Sequence, residues 1–121
     1  MVNENGFVNK NLEAVVQIRL SNEAAVECVL DTGFNGSLLL PRKFVEDNSM
    51  LFVGHEEVDL VEGISAEIDT ALAEVKWLGD EFSIRIFVSE TNEALIGAEM
   101  LVDTILEIDY INSTVKITKP K

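Results

Sequence analysis

The residues of this chain that most clearly suggest chemistry lie in a turn between two apolar segments. The apolar range 26–30 leads into Asp31-Thr32-Gly33, and a second apolar range, 38–40, follows a few residues later. An unpaired carboxylate between two strand-like apolar segments is costly to remove from water. Backbone N–H groups of the turn could stabilise it, or a second carboxylate could share a proton with it. Asp31 is therefore the first candidate for a functional residue.

The surrounding sequence predicts short β-strands that would position this turn. Apolar residues alternate between 12 and 20, and a turn at 21–23 leads into a second strand, 24–30, which ends at Asp31. Further strands are predicted at 37–40, 50–53, 57–61, 66–76, 81–88, 94–97, 104–110 and 114–118, and short helices at 41–47 and 98–102. For 66–76 a helix is the alternative, because alanine and glutamate favour helices. Short strands at regular spacing, with only two short helices, predict an all-β barrel or sandwich.

Composition limits the classes of partner and the expected compartment. The 121 residues include 9 basic and 22 acidic residues, a formal charge of −13, so nucleic acid and anionic membranes are not expected partners. The single cysteine, Cys28, excludes an intramolecular disulfide and fits a reducing compartment. The polar segment 1–11 lacks the apolar centre of a signal peptide. We therefore expect one cytoplasmic domain, 1–121, with a frayed tail at 119–121.

The lone histidine, His55, lies near Gly54 between two weak strand candidates. A catalytic role is one interpretation, but a histidine in a loop near a turn is the favoured one. The chain has no second histidine and no cysteine pair, so the sequence predicts no metal site.

The stretch Asp31-Thr32-Gly33 between two strands resembles the active-site loop of the aspartic proteases. The resemblance is closest to the single-domain, retroviral-type (retropepsin-like) branch, and within it to small bacterial and archaeal members. Two further features carry it: an apolar pair and a glycine at 95–97, and a β-hairpin that closes the chain. Two other Asp-Thr pairs, at 69–70 and 103–104, are not followed by glycine.

This resemblance implies a closed acid-protease-type β-barrel with one Asp-Thr-Gly loop per chain. Such an enzyme needs two carboxylates, so it would be a homodimeric aspartic endopeptidase with one Asp31 from each subunit acting on a peptide or protein substrate. Thr32 would hydrogen-bond to the partner's loop, and Gly33 would allow backbones to approach closely. No cofactor and no metal are implied.

The resemblance also implies residues that contact the substrate. Phe34, Asn35 and Gly36 would lie beside the loop, and Gly63 and Ile64 would form the tip of a hairpin flap. Retroviral enzymes dimerise through a sheet built from their chain termini. The polar segment 1–11 and the Lys-Pro-Lys tail do not favour that arrangement here.

Two other functions remain compatible with the residues. One is a non-catalytic dimerisation or peptide-binding module with the same fold, in which Asp31 only holds the turn. The other is a small-ligand-binding β-barrel unrelated to proteases. Peptide cleavage and oligomeric state would distinguish the enzyme from both.

Overall fold

The computed structural model, which describes residues 2–120, consists mainly of β-strands. The strands are β1 (Val2–Val8), β2 (Ala14–Leu20), β3 (Ala25–Leu30), β4 (Leu38–Pro41), β5 (Leu51–Val61), β6 (Ile64–Trp77), β7 (Asp80–Ser89), β8 (Leu95–Ile96), β9 (Ile105–Asp109) and β10 (Thr114–Lys119). One α-helix, α1 (Arg42–Asp47), follows β4, and one 3₁₀ helix (Ala98–Leu101) follows β8. The predicted all-β class is therefore confirmed.

These strands form one sheet with the order β5-β6-β7-β4-β8-β3-β2-β1-β10-β9. An additional pairing of β6 with β2, through Arg19↔Lys76 and Leu20↔Val75, joins the strands from β6 to β2 into a ring. The closed barrel expected from the sequence is thus a ring made by part of the sheet. β5 extends from one side of this ring, and β1, β10 and β9 extend from the other.

The core is built from the alternating apolar positions of the ring strands and of β10, together with residues of the two short helices. Its largest fully buried side chains include Ile18, Leu38, Leu40, Ile86, Ile96 and Ile117. Cys28 is also fully buried, and burial raises its pKa to about 12. The thiol therefore stays protonated near neutral pH and packs as an apolar group.

The N-terminal segment differs from the sequence prediction, which assigned it no strand. β1 pairs antiparallel with β10 from Val2↔Lys119 to Phe7↔Thr114. Lys119 therefore belongs to a strand rather than to a frayed tail, while Lys121 lies outside the described residues. Backbone pairing holds β1 although its centre, Asn3 to Asn5, is polar. On its other side β1 pairs with β2, and Gly6 allows that close approach, since a Cβ there would lie 2.0 Å from the carbonyl oxygen of Val15.

The two weak strands predicted at 50–53 and 57–61 are one strand, β5. A bulge between Phe52 and Gly54 interrupts its pairing with β6, and Gly54 has φ +127°, which favours glycine. The prediction of a loop histidine was wrong, because His55 lies within β5. Its side chain is exposed, and its Nε2 lies 3.9 Å from Oε1 of Glu67.

The strand interpretation of 66–76 is confirmed, because this range lies within β6. Leu78 and Gly79 join β6 to β7 with φ of 51° and 84°. Positive φ at both central residues is the type I′ geometry that closes two-residue hairpins. This local turn, together with the alternation in β7, fixes the strand state over the helical preference of the alanines.

The helices are short and lie where they were predicted. Pro41 was expected in the first turn of α1, but it ends β4 and forms the N-cap with φ −59° and ψ 141°. The 3₁₀ helix starts at Gly97, which is its extended N-cap. Within the described part of the chain, neither helix nor any other is long and apolar enough to cross a membrane.

One buried hydroxyl predicts a stabilising substitution. Thr70 is fully buried in β6, and its Oγ1 has no hydrogen-bond partner among the described residues. An unpaired buried hydroxyl costs about 1–3 kcal/mol. We therefore expect Thr70→Val, which keeps the branched shape, to raise the free energy of unfolding by about 1 kcal/mol in urea titrations. Thr114→Val, at an exposed strand position, should change it by less than about 0.5 kcal/mol, and a loss of stability in Thr70→Val would contradict the prediction.

Candidate active site

Strand β8 forms the frame of the candidate site. It lies between β3 and β4, parallel to β3 through Leu30↔Ile96 and antiparallel to β4 through Leu38↔Ile96. The backbone N–H of Asp31 donates to the carbonyl of Ile96 at 2.9 Å. The turn that begins at Asp31 therefore joins the two strands that flank β8, and β8 anchors its first residue.

The carboxylate of Asp31 is stabilised from one side only. Gly33 N–H donates to Oδ1 of Asp31 at 3.0 Å, and Phe34 N–H donates to the Asp31 carbonyl at 3.1 Å. The side chain is half-buried, and no ion pair forms between it and a cation of residues 2–120. The sequence left two ways to stabilise Asp31: backbone N–H groups of the turn, or a second carboxylate. The turn supplies one N–H group and leaves the other carboxylate oxygen available to a further partner.

The start of the 3₁₀ helix closes over the same turn. Gly97 N–H donates to the Ser37 carbonyl at 2.8 Å, and Ala98 N–H donates to the Phe34 carbonyl at 2.7 Å. A Cβ on Gly97 would lie 2.0 Å from the carbonyl oxygen of Gly36, so only glycine fits there. The apolar pair and glycine at 95–97 therefore support the turn from behind.

Aromatic packing holds the rest of the turn. The rings of Phe34 and Phe87 meet edge to face with centroids 5.9 Å apart. Gly36 lies against both, because a Cβ there would approach each ring to 2.7 Å. Asn35 is exposed, and buried Ser37 donates its hydroxyl to the Arg85 carbonyl at 2.6 Å. Sequence reasoning missed Phe87; its signal was an aromatic residue on the otherwise polar side of β7.

Gly63 and Ile64 lie on a different element, the tip of the hairpin formed by β5 and β6. Gly63 has φ +73°, and both residues are exposed. The hairpin predicted as a flap is therefore present with its glycine tip. The two faces of this hairpin differ in burial. The paired Val58 and Ala66 are half-buried, whereas the paired Glu57 and Glu67 are exposed.

A charged cluster that sequence reasoning did not find lies at the base of this hairpin. The guanidinium of Arg42 donates to both carboxylate oxygens of Glu90, at 2.8 and 2.5 Å, and to Asp69 Oδ2 at 2.6 Å. It also lies 5.6 Å from the ring centre of Phe52. One cation thus connects α1 to β5, to β6 and to the loop after β7.

This cluster predicts a pH-dependent loss of stability. The hydrogen bonds from Arg42 hold the pKa of Glu90 below its usual 4.5. A depressed carboxyl pKa stabilises the fold above the unfolded-state pKa, and the effect is lost as the pH falls through the folded-state pKa. We expect Arg42→Gln to lower the unfolding midpoint clearly at pH 7 and much less at pH 3. An equal loss at both pH values would show that packing on Phe52, not charge, is the main contribution.

Other potential sites in the described residues are limited. Within residues 2–120, no three His, Cys, Asp or Glu side chains are grouped so that they could hold a metal ion. A cavity of about 400 Å³ lies at the end of α1 and contains no residue of the Asp31 turn. Its lining residues are Leu20, Ser21, Asn22, Asn48, Ser49, Met50, Leu51, Leu72, Glu74 and Ser83.

Proteins of known structure share this architecture. A retropepsin-like aspartic protease from Rickettsia conorii superposes with a TM-score of 0.69 over 95% of this chain and 89% of its own, at 14% sequence identity. The chain has the retropepsin-like fold. No family model and no curated protein sequence matches it.

Two viral proteins show the same retropepsin-like fold. EIAV protease, in complex with an inhibitor, matches with a TM-score of 0.58 and 16% identity, over 78% of this chain and 90% of its own. The foamy viral protease–reverse transcriptase, in complex with an RNA/DNA hybrid, matches with a TM-score of 0.53 and 13% identity, over 72% of this chain and 11% of its own. The fold is thus shared with proteases at sequence identities that show the fold alone.

Proposed function

We propose that this protein is an aspartic endopeptidase that acts as a homodimer. The observation that carries the proposal is Asp31, whose half-buried carboxylate ends β3 and accepts one N–H bond, from Gly33. The retropepsin-like fold shared with three proteases supports it. A turn that only needed a stable geometry would not require a carboxylate that pairs with no cation of residues 2–120.

The chemistry needs a second carboxylate, and a second subunit supplies it. Two carboxylates a few ångströms apart cannot both ionise, so they share one proton. The ionised Asp31 takes a proton from a water molecule, whose oxygen attacks the scissile carbonyl carbon, while the protonated Asp31 of the other subunit donates its proton to the carbonyl oxygen. The tetrahedral intermediate then collapses: the first Asp31 gives its proton to the departing amine as the C–N bond breaks, and a hydroxyl proton of the intermediate returns to the other Asp31.

The other residues of the turn have positioning roles in this mechanism. Thr32 is exposed, so its hydroxyl is accessible to the backbone of the partner's turn. Gly33 carries the N–H that orients the Asp31 carboxylate. The peptide would lie extended between this turn and the hairpin tip at Gly63 and Ile64, paired like an added strand.

A peptide-cleavage assay tests this function. A mixed peptide library, incubated at high protein concentration between about pH 4 and 7, is analysed by mass spectrometry. We expect cleavage with an acid-to-neutral optimum and few cuts in acidic peptides, because the chain carries a charge of −13. Activity per subunit should fall on dilution below the dimer dissociation constant. Absence of cleavage at every pH by a folded dimer would instead indicate a peptide-binding module.

A further inference from the structure

One face of the β5–β6 hairpin is turned toward the candidate site. Phe87 of β7 contacts Phe34 of the site, and Thr70 lies opposite Phe87 in the register of β6 and β7. Directly paired residues of an antiparallel sheet share a face, and so do residues two apart in a strand. Ile68 therefore lies on the same face as Thr70, and so does Glu56, which pairs with Ile68. These positions define the cleft face of the hairpin.

The cleft face is apolar near the tip and charged at Glu56. Val58, Ala66 and Ile68 on this face are half-buried. Oε1 of Glu56 lies 2.8 Å from Nη1 of Arg85 in β7, and the exposed fractions of these two side chains are 40% and 47%. A carboxylate can accept several donors, so one partly exposed ion pair does not saturate Glu56. Its carboxylate is open to a further cation that lies along the cleft face.

The hairpin as a whole is strongly acidic. Residues 51–69 include six carboxylates and neither lysine nor arginine. The six are Glu56, Glu57, Asp59, Glu62, Glu67 and Asp69. Arginines of other elements pair with two of them, Arg42 with Asp69 and Arg85 with Glu56. A site lined by charge of one sign attracts ligands of the opposite sign, so a peptide covered by this hairpin binds best when it is basic.

The other face of the hairpin is turned away from the candidate site. Glu57 lies on it, opposite Glu67, and both side chains are exposed. Glu57 therefore adds to the general negative field but does not reach a peptide on the cleft face. Glu56 and Glu57 are neighbours of the same charge, and they separate a local contact with the peptide from the field of the whole hairpin.

We propose that the substrate is a peptide with a basic side chain near an apolar cleavage site, and that Glu56 selects the basic side chain. The proposal rests on the proposed function, in which the peptide lies between the Asp31 turn and this hairpin. Apolar side chains of the peptide pack against Phe34 and Val58, and a lysine or arginine donates a charge-assisted hydrogen bond to Glu56. A two-fold dimer presents Glu56 twice, so a basic residue is favoured on each side of the scissile bond.

Peptide binding to the Asp31→Asn protein, in which cleavage does not deplete the probe, tests this selection. The probes are fluorescently labelled peptides with a central pair of leucines and with lysine, glutamine or glutamate at one flanking position at a time. Fluorescence anisotropy should show lysine bound at least about tenfold more tightly than glutamine at the best position, since hydrogen bonds to charged groups contribute about that much. Adding Glu56→Gln should remove this preference and favour the glutamate peptide, because Arg85 then lacks its carboxylate partner.

Two further variants of the same protein serve as controls. Glu57→Gln makes the same change one residue away and should leave the lysine preference within about twofold, because exposed charges without a direct contact are largely screened. Arg85→Gln releases Glu56 and should raise the lysine preference, whereas a merely structural role of the ion pair would make the two partners' variants behave alike. All three variants should unfold like the parent in urea, since exposed ion pairs contribute little to stability.

The outcomes separate this inference from the proposed function. Equal losses of lysine preference in Glu56→Gln and Glu57→Gln would overturn the inference, as would equal affinity for lysine and glutamate peptides or no binding of any peptide. Cleavage of leucine-centred peptides by the wild-type protein without a lysine preference would refute the inference alone. Lysine-selective binding through Glu56, with no cleavage by the wild-type protein, would refute the proposed function alone.

Discussion

Replacing Asp31 with asparagine is expected to abolish peptide cleavage and leave the fold intact. Asparagine cannot take a proton from water or donate a carboxyl proton, and general acid–base catalysis contributes about 10²–10⁴-fold to rate. Because the change removes both members of a dimeric pair, we expect a loss of at least about 10³-fold in kcat, measured by mass spectrometry of peptide products. The amide oxygen can still accept the N–H of Gly33, so the free energy of unfolding should change by less than about 1 kcal/mol.

Asp103→Asn is the matched control for this experiment. Asp103 also precedes a threonine, is exposed, and has φ 61°, a conformation that asparagine tolerates well. It lies outside the proposed catalytic turn, so this variant should cleave peptides like wild type. Equal activity in Asp31→Asn and Asp103→Asn would exclude the aspartic mechanism and leave a binding module.

The largest expected effect on stability comes from Gly97→Ala. A Cβ at this position would lie 2.0 Å from the carbonyl oxygen of Gly36 and 2.7 Å from the Phe34 ring. The carbonyl of Gly36 belongs to the backbone and cannot rotate away as a side chain can, so the 3₁₀ helix and the Asp31 turn must move apart. This movement would weaken the hydrogen bond from Gly97 N–H to the Ser37 carbonyl. We expect a loss of about 3 kcal/mol or more in urea unfolding, at the upper end of overpacking effects.

Gly63→Ala provides the comparison for this loss. Gly63 has a positive φ of +73°, but no atom lies within 4 Å of a Cβ built there. Only the left-handed conformation then opposes the alanine, at about 1–2 kcal/mol. A Gly97→Ala variant no less stable than Gly63→Ala would show that the turn and the 3₁₀ helix are not packed as described.

Local sequence patterns predicted the parts of the fold where the alternation of apolar residues and the residue types of the turns indicate the same structure. The strand before Asp31, the Leu78-Gly79 turn and the hairpin tip at Gly63 each have a local physical cause: alternation, or a backbone position that favours glycine. The same reasoning missed β1, because its asparagines lack a strand pattern. Its pairing with β10, more than a hundred residues away, supplies the hydrogen bonds.

Part of the candidate site was likewise beyond local reasoning. Phe87 lies far from Phe34 in the chain, and only the tertiary structure brings the two rings together. Likewise, Asp69 and Glu90 lie far from Arg42 in the chain, and only the folded protein pairs them with it. His55 was placed in a loop because Gly54 precedes it. Instead, Gly54 pairs with Thr70 of β6 directly after a bulge, within one long strand.

The sequence by itself determined the candidate chemistry of this protein: a carboxylate at a strand end, a glycine-rich turn, and one such loop in the chain. These features depend on residue type and on neighbours within a few positions, which a local pattern shows directly. Only the tertiary structure decided how the turn is supported and which strands lie at the two edges of the sheet. Those outcomes depend on pairings between distant strands, since each backbone group must find a partner across the whole fold.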